Sequence, residues 1–106
     1  MIQILFFLLV WHALADYPLQ GDFLAKAKNK LQPIPGVPWY QAMTAHALIH
    51  AGGVAHITGS LALGLVEFVL HFLIDNAKCT ARIGFNTDQL LHVLCKVGYV
   101  VWLAQQ

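Results

Sequence analysis

The sequence predicts an all-α fold, a polytopic membrane protein in which four hydrophobic helices form an antiparallel bundle and one short amphipathic helix lies at the interface. Three observations carry that prediction. Hydrophobic residues make up 58% of the 106 positions and charged residues only 10%, against a usual charged share of roughly 25%. Long windows therefore have no polar outer face to offer water. Proline, glycine and small polar clusters divide the chain into apolar segments of helical length. Within those segments His and Asp recur four residues apart, about one helical turn, rather than with the two-residue alternation of strands. A single domain, residues 1–106, is the natural reading of this length.

The first helix is expected from Ile2 to Asp16, ended by Tyr17-Pro18 because proline disfavours helical geometry in the residue before it. It is short for a span, which takes ~20 residues. Ala13-Leu14-Ala15 has the form of a leader cleavage site, but no Lys or Arg precedes the apolar run, so the segment reads as a retained helix. Asp22 is placed to cap a short amphipathic helix over Phe23 to Leu31, whose Lys26, Lys28 and Lys30 suit a membrane surface.

Pro33, Pro35, Gly36 and Pro38 then make a loop, and Trp39 and Tyr40 stand where interfacial aromatics are expected. The second long helix reads as Trp39 to Ile57, with Gly52-Gly53 as a close-packing point. Thr58-Gly59-Ser60 turns tightly into the third, Leu61 to Lys78. After a polar link, Asn86 or Thr87 is placed to cap the fourth, which runs to Ala104.

Short links make successive helices antiparallel neighbours. That topology gathers His12/Asp16, His46/His50, His71/Asp75 and Asp88/His92 at one end of the bundle. Lys26, Lys28, Lys30, Lys78 and Arg82 lie in the links at that end, so the basic-residue bias puts the site end in the cytoplasm and both termini outside. The net charge of +1 and the lack of interleaved basic and aromatic residues exclude nucleic acid as a partner.

Neutral imidazoles and carboxylates are ligands for a divalent transition metal such as zinc, iron or manganese. His46, His50, His71 and His92 are the preferred ligands, joined by Asp75 or Asp88, while His12 and Asp16 complete or orient the set. Eight such groups exceed the four of a closed structural zinc, so either two metals bind or some groups orient others. His46-Ala47-Leu48-Ile49-His50 lacks the glutamate of the zinc-protease H-E-x-x-H motif, which leaves that activity unsupported. Glu67, one turn before His71, is a general-base or proton-relay candidate or a partner of Lys96, and Asp16 is the second catalytic candidate. Cys95 reads as a small buried residue that could also reach the His92 face, and His56 as a structural histidine at the far end.

His12 to Gln20, His46 with His50, His71 to Lys78 and Asp88 to His92 together resemble the successive motifs of an uncharacterised family of small integral membrane proteins from bacteria and phages. That family, a domain of unknown function, is in turn distantly similar to membrane-bound metal-dependent hydrolases. The resemblance implies an integral protein of the bacterial inner membrane with these polar positions in one shared site, and it adds Gln20, Lys78 and Gln89 as supporting groups. The very short link between the second and third helices departs from the family pattern.

Three functions are then open. The first is metal-dependent hydrolysis of a lipid-linked or amphiphilic substrate near the cytoplasmic face. The second is conduction of protons or metal ions through Glu67, His71 and Asp75. The third is a noncatalytic interaction protein of a phage or bacterial membrane. Membrane lipids, a second copy of the chain or another membrane protein are the expected partners.

Overall fold

The computed structural model describes residues 1–106 and contains five helices. They are α1 (Ile2–Asp16), α2 (Gly21–Ala27), α3 (Trp39–Thr58), α4 (Leu61–Cys79) and α5 (Phe85–Ala104). α1 stops ahead of Pro18 as the proline dictates. α2 starts and ends earlier than the amphipathic pattern suggests, and Asp22 falls in its first turn without making a capping bond. α3 closes on Gly59 in the left-handed conformation, φ 69°, where the lack of a Cβ removes the steric penalty. One residue later the Ser60 hydroxyl accepts from the Leu63 amide at 3.1 Å and caps α4. Gly84 sits at the N-cap of α5, so neither Asn86 nor Thr87 caps it.

α1 packs on α3, α3 on α4, α4 on α5 and α5 back on α1, which closes a ring of four helices with α2 laid against α3. Two glycines set the tightest approaches. A Cβ on Gly53 would lie 1.9 Å from the Trp11 ring, and one on Gly64 would lie 2.7 Å from Ala55.

The inward stripe of each helix advances in steps of three or four residues, as a helix face must. On α1 it reads Leu8, His12, Asp16; on α3 His46, His50, Val54; on α4 Leu63, Glu67, His71, Asp75; on α5 Asp88, His92, Lys96, Tyr99. Stacked side by side, these stripes give the interior an apolar floor of Leu8, Val54, Leu63 and Tyr99 and a polar upper part. Large apolar side chains meanwhile remain outside, with Ile2 81% and Leu61 73% exposed. An interior with as many polar or charged residues as hydrophobic ones departs from the usual distribution.

None of the helices is both long and apolar enough to cross a membrane by itself, and this overturns the expected bundle of four spanning helices. At 15 residues α1 is too short. α3, α4 and α5 have the length, 20, 19 and 20 residues, but the ionisable side chains and histidines of their inward stripes dilute the apolar character a span needs. α1 and α2 taken together reach the length and composition, yet the chain bends by 82° between them. Composition averages the inner and outer faces, and here the apolar share belongs to the outer one.

Candidate metal centre

Because every inward stripe carries its ligand-type residues at the same level, five imidazoles meet inside the ring. His50 stacks on His71 with ring centroids 3.7 Å apart, and His71 stacks on His92 at 4.3 Å. His12 lies 5.1 Å from His92 and His46 lies 4.7 Å from His50. All five are buried. Burial lowers the basicity of His12 and His71 and takes His50 down to about 4, against the opposing pull of Asp16 on His50 and of Glu67 on His71. Neutral imidazole is the form that binds metal.

Carboxylates surround the stack. The Nε2 of His50 donates to Asp16 Oδ1 at 2.8 Å, and His12 Nε2 lies 3.2 Å from Asp16 Oδ2. Burial alone would raise the Asp16 carboxyl, but the imidazoles of His46 and His50 outweigh it and hold it well below the usual carboxylate range. His46 Nε2 stands 3.3 Å from Asp16 Oδ1 and 3.5 Å from Asp75 Oδ2, yet forms an aligned hydrogen bond with neither. Donors around a tetrahedral ion at bond lengths of about 2.0–2.1 Å are spaced about 3.3 Å apart. The distances at His46 have that spacing.

His71 Nδ1 donates to Glu67 Oε2 at 3.1 Å, which leaves its Nε2 as a buried lone pair without a hydrogen-bond partner, 4.0 Å from Asp75 Oδ2. A carboxylate that takes one ring N–H and so aims the other nitrogen is the usual support of a metal-ligating histidine. Glu67 itself is saturated. Lys96 Nζ reaches both of its oxygens at 2.9 Å and the Tyr99 hydroxyl donates to Oε1 at 2.8 Å. Burial would raise the Glu67 carboxyl, but His71 and Lys96 hold it well below its ordinary value.

Asp75 pairs with the buried Lys28 and lies 3.6 Å from Lys78. Asp88 Oδ2 accepts from Gln89 Nε2 at 3.0 Å, whereas its buried Oδ1, 3.3 Å from His92 Nε2, has no aligned partner. Donor atoms fall into three sets whose members lie within 4.8 Å of one another: Asp16 with His46, His50 and His71; Asp75 with Asp88 and His92; and Glu67 with His71 and His92. The last set is the weakest fit to a metal, since the oxygens of Glu67 are already taken.

A cavity of about 270 Å³ lies against Asp16 at the edge of this centre, with Gln20, Asp22, Lys78 and Gln89 on its wall and Tyr17 and Phe85 at its sides. The three residues expected to support the site thus line the cavity next to Asp16. Gln20 Nε2 holds the Asp16 carbonyl at 2.9 Å, and Gln89 links Asp88, Asp16 and His12.

Every ligand candidate, His12, His46, His50, His71, Asp75, Asp88 and His92, comes into the cluster, as do Asp16 and Glu67. Cys95 instead packs on the apolar floor, and His56 lies in a groove with Trp11 and Ile57. Two participants escaped the sequence reading. Tyr99 was legible in principle, three residues beyond Lys96 on the same stripe. Lys28 was not, because its partner Asp75 is 47 positions away and only the folding of α2 against α3 brings it inward.

A ring of helices closed around a buried cluster of histidines and carboxylates defines the class: a small all-α protein with a polar centre. The chain belongs to the family described as protein of unknown function (DUF3307), which it matches over residues 4–105. No curated protein and no solved structure matches it.

Proposed function

We propose that this protein holds a divalent transition metal, zinc, iron or manganese, at Asp16, His46, His50 and His71, and uses it to hydrolyse an amphiphilic or lipid-linked substrate. One observation carries the metal reading: His46 Nε2 is fully buried, has no hydrogen-bond partner, and stands 3.3 and 3.5 Å from two carboxylates. A buried polar atom left unpaired costs about 1–3 kcal/mol, and a ligated ion removes that cost. When bound, the metal supplies Lewis acidity that makes a water nucleophile available near neutral pH.

The chain's own residues divide the remaining work. Glu67, engaged by Lys96 and Tyr99, fixes the His71 ring with Nε2 inward, a positioning role rather than that of a free base. Asp16 belongs to both the centre and the cavity, so its Oδ2 is placed to accept a hydrogen from water entering beside Gln89. The cavity joins a polar wall to exposed aromatic edges at Tyr17 and Phe85. That pairing suits a substrate with a polar head and an apolar body.

The test is elemental analysis of the full chain after chelation and reloading with Zn²⁺, Fe²⁺ or Mn²⁺. About one equivalent or more of one metal is expected to remain after desalting, and the double variant His46→Asn/His50→Asn is expected to lose it. Retention below about a tenth of an equivalent for each ion refutes the metal reading. If metal binds, a chromogenic ester carrying an acyl chain should be cleaved by the loaded protein and not by the stripped one. Equal rates in the two forms refute hydrolysis.

A further inference from the structure

We infer that a second divalent cation binds at Asp75, Asp88 and His92, next to the first, so that the centre holds two metals sharing one carboxylate. The inference rests on the metal reading above and extends it to groups that the first ion leaves unused.

Three features of the second set point to a ligand. The donors of Asp75, Asp88 and His92 lie within 4.8 Å of one another, and each residue is buried to 1 or 2% exposure. Asp88 Oδ1 has no hydrogen-bond partner although His92 Nε2 is only 3.3 Å away. That separation again matches donors around one ion and not an aligned hydrogen bond. Gln89 meanwhile fixes the other oxygen, Oδ2, at 3.0 Å and so turns Oδ1 toward the imidazole.

Asp75 joins the two sets. Its Oδ2 is 3.5 Å from His46 Nε2 and 4.0 Å from His71 Nε2, both members of the first set, while the same carboxylate belongs to the second. A carboxylate between two donor groups is what a pair of closely spaced metals requires, and such pairs clamp the attacking and leaving oxygens of a displacement.

Lys28 sets the order of loading. Its ammonium pairs with Asp75 Oδ2, so a cation entering the second set competes with a buried positive charge. The first set contains no lysine contact of its own apart from the shared Asp75. Binding is therefore sequential, with the second step weaker.

The experiment is a titration of the chelator-stripped full chain with Mn²⁺, read by retained metal and by electron paramagnetic resonance. Wild type is expected to bind about two equivalents in two steps, with magnetic coupling broadening the signal as the second loads. Asp88→Asn is expected to bind about one, with the spectrum of an isolated ion. One equivalent in wild type, without coupling, overturns this inference alone and leaves the single-metal reading standing. No retained metal overturns both. The wild-type stoichiometry and coupling decide the matter even if the variant fails to fold, and an Asp88→Asn protein that still holds two coupled ions overturns the assignment of the residues.

Discussion

Acidification of the metal-free protein should destabilise it at a pH where its carboxylates are still ionised, because the buried imidazoles of His12, His50 and His71 take up protons on leaving the cluster. His50 falls from 6.5 in the unfolded chain to about 4 in the folded one. A histidine with a depressed folded value contributes stability that is fully present above the unfolded pKa and is lost as pH falls toward the folded one. For His50 alone, moving from pH 7.5 to 5.5 removes about 1.3 kcal/mol. His12 and His71 are shifted in the same direction and add to it. Asp16 and Glu67, both depressed, act only below about pH 5, where the unfolded chain begins to protonate its carboxylates. The window from 6.5 to 5 therefore isolates the imidazoles. Urea denaturation followed by circular dichroism, on chelated protein at pH 7.5, 6.5 and 5.5, gives the slope. Stability that is flat or rises across that window refutes the view of His12, His50 and His71 as neutral, desolvated rings.

Glu67→Gln leaves the Lys96 ammonium buried at 1% exposure without its countercharge, and should destabilise the fold by about 3–5 kcal/mol. Glu67→Met combined with Lys96→Met should recover only part of that loss in the same denaturation assay, since no charge is stranded but the Tyr99 hydroxyl and His71 Nδ1 still lose their acceptor. Gly53→Ala drives a methyl into the Trp11 ring and threatens the bond from its indole to the Ile49 carbonyl at 3.1 Å, a cost of about 1–3 kcal/mol. Gly52→Ala, with nothing within 4 Å of the new carbon, should instead stabilise α3 by about 0.5–1 kcal/mol. Equal melting temperatures for the two glycine variants would refute the close-packing role. Ser60→Ala should cost about 1 kcal/mol by removing the cap from Leu63, measurable as a lower urea midpoint.

The helices were legible because their punctuation is local. Pro18, the Pro33 to Pro38 cluster and Gly59 interrupt the chain where backbone geometry requires it, and the observed boundaries fall within a few residues of the expected ones except at α2. The cluster was legible for a related reason. The four-residue spacing fixes a face, the short links fix which ends meet, and together they bring His12, His46, His71 and His92 to one level without any knowledge of packing.

What sequence reading mistook was which face points where. An apolar share of 58% invites the assumption that polar residues are exceptions tolerated within apolar spans. In the fold they make up nearly half of the interior: ten of the 22 buried residues are polar or charged, and nine of these, all but Lys28, lie on the inward stripes of the four ring helices. A helix whose inner face is ionisable and whose outer face is apolar has the same composition as a spanning helix with a few polar residues. Only the register of the burial separates the two. Lys28 is the residue whose place depends most on distant parts of the chain. Its neighbours Lys26 and Lys30 share its local pattern, and no local rule tells which of the three will reach Asp75. Burial of an ammonium is tolerable only because a carboxylate waits for it, so the choice is made by Asp75 on α4, 47 positions further along the chain.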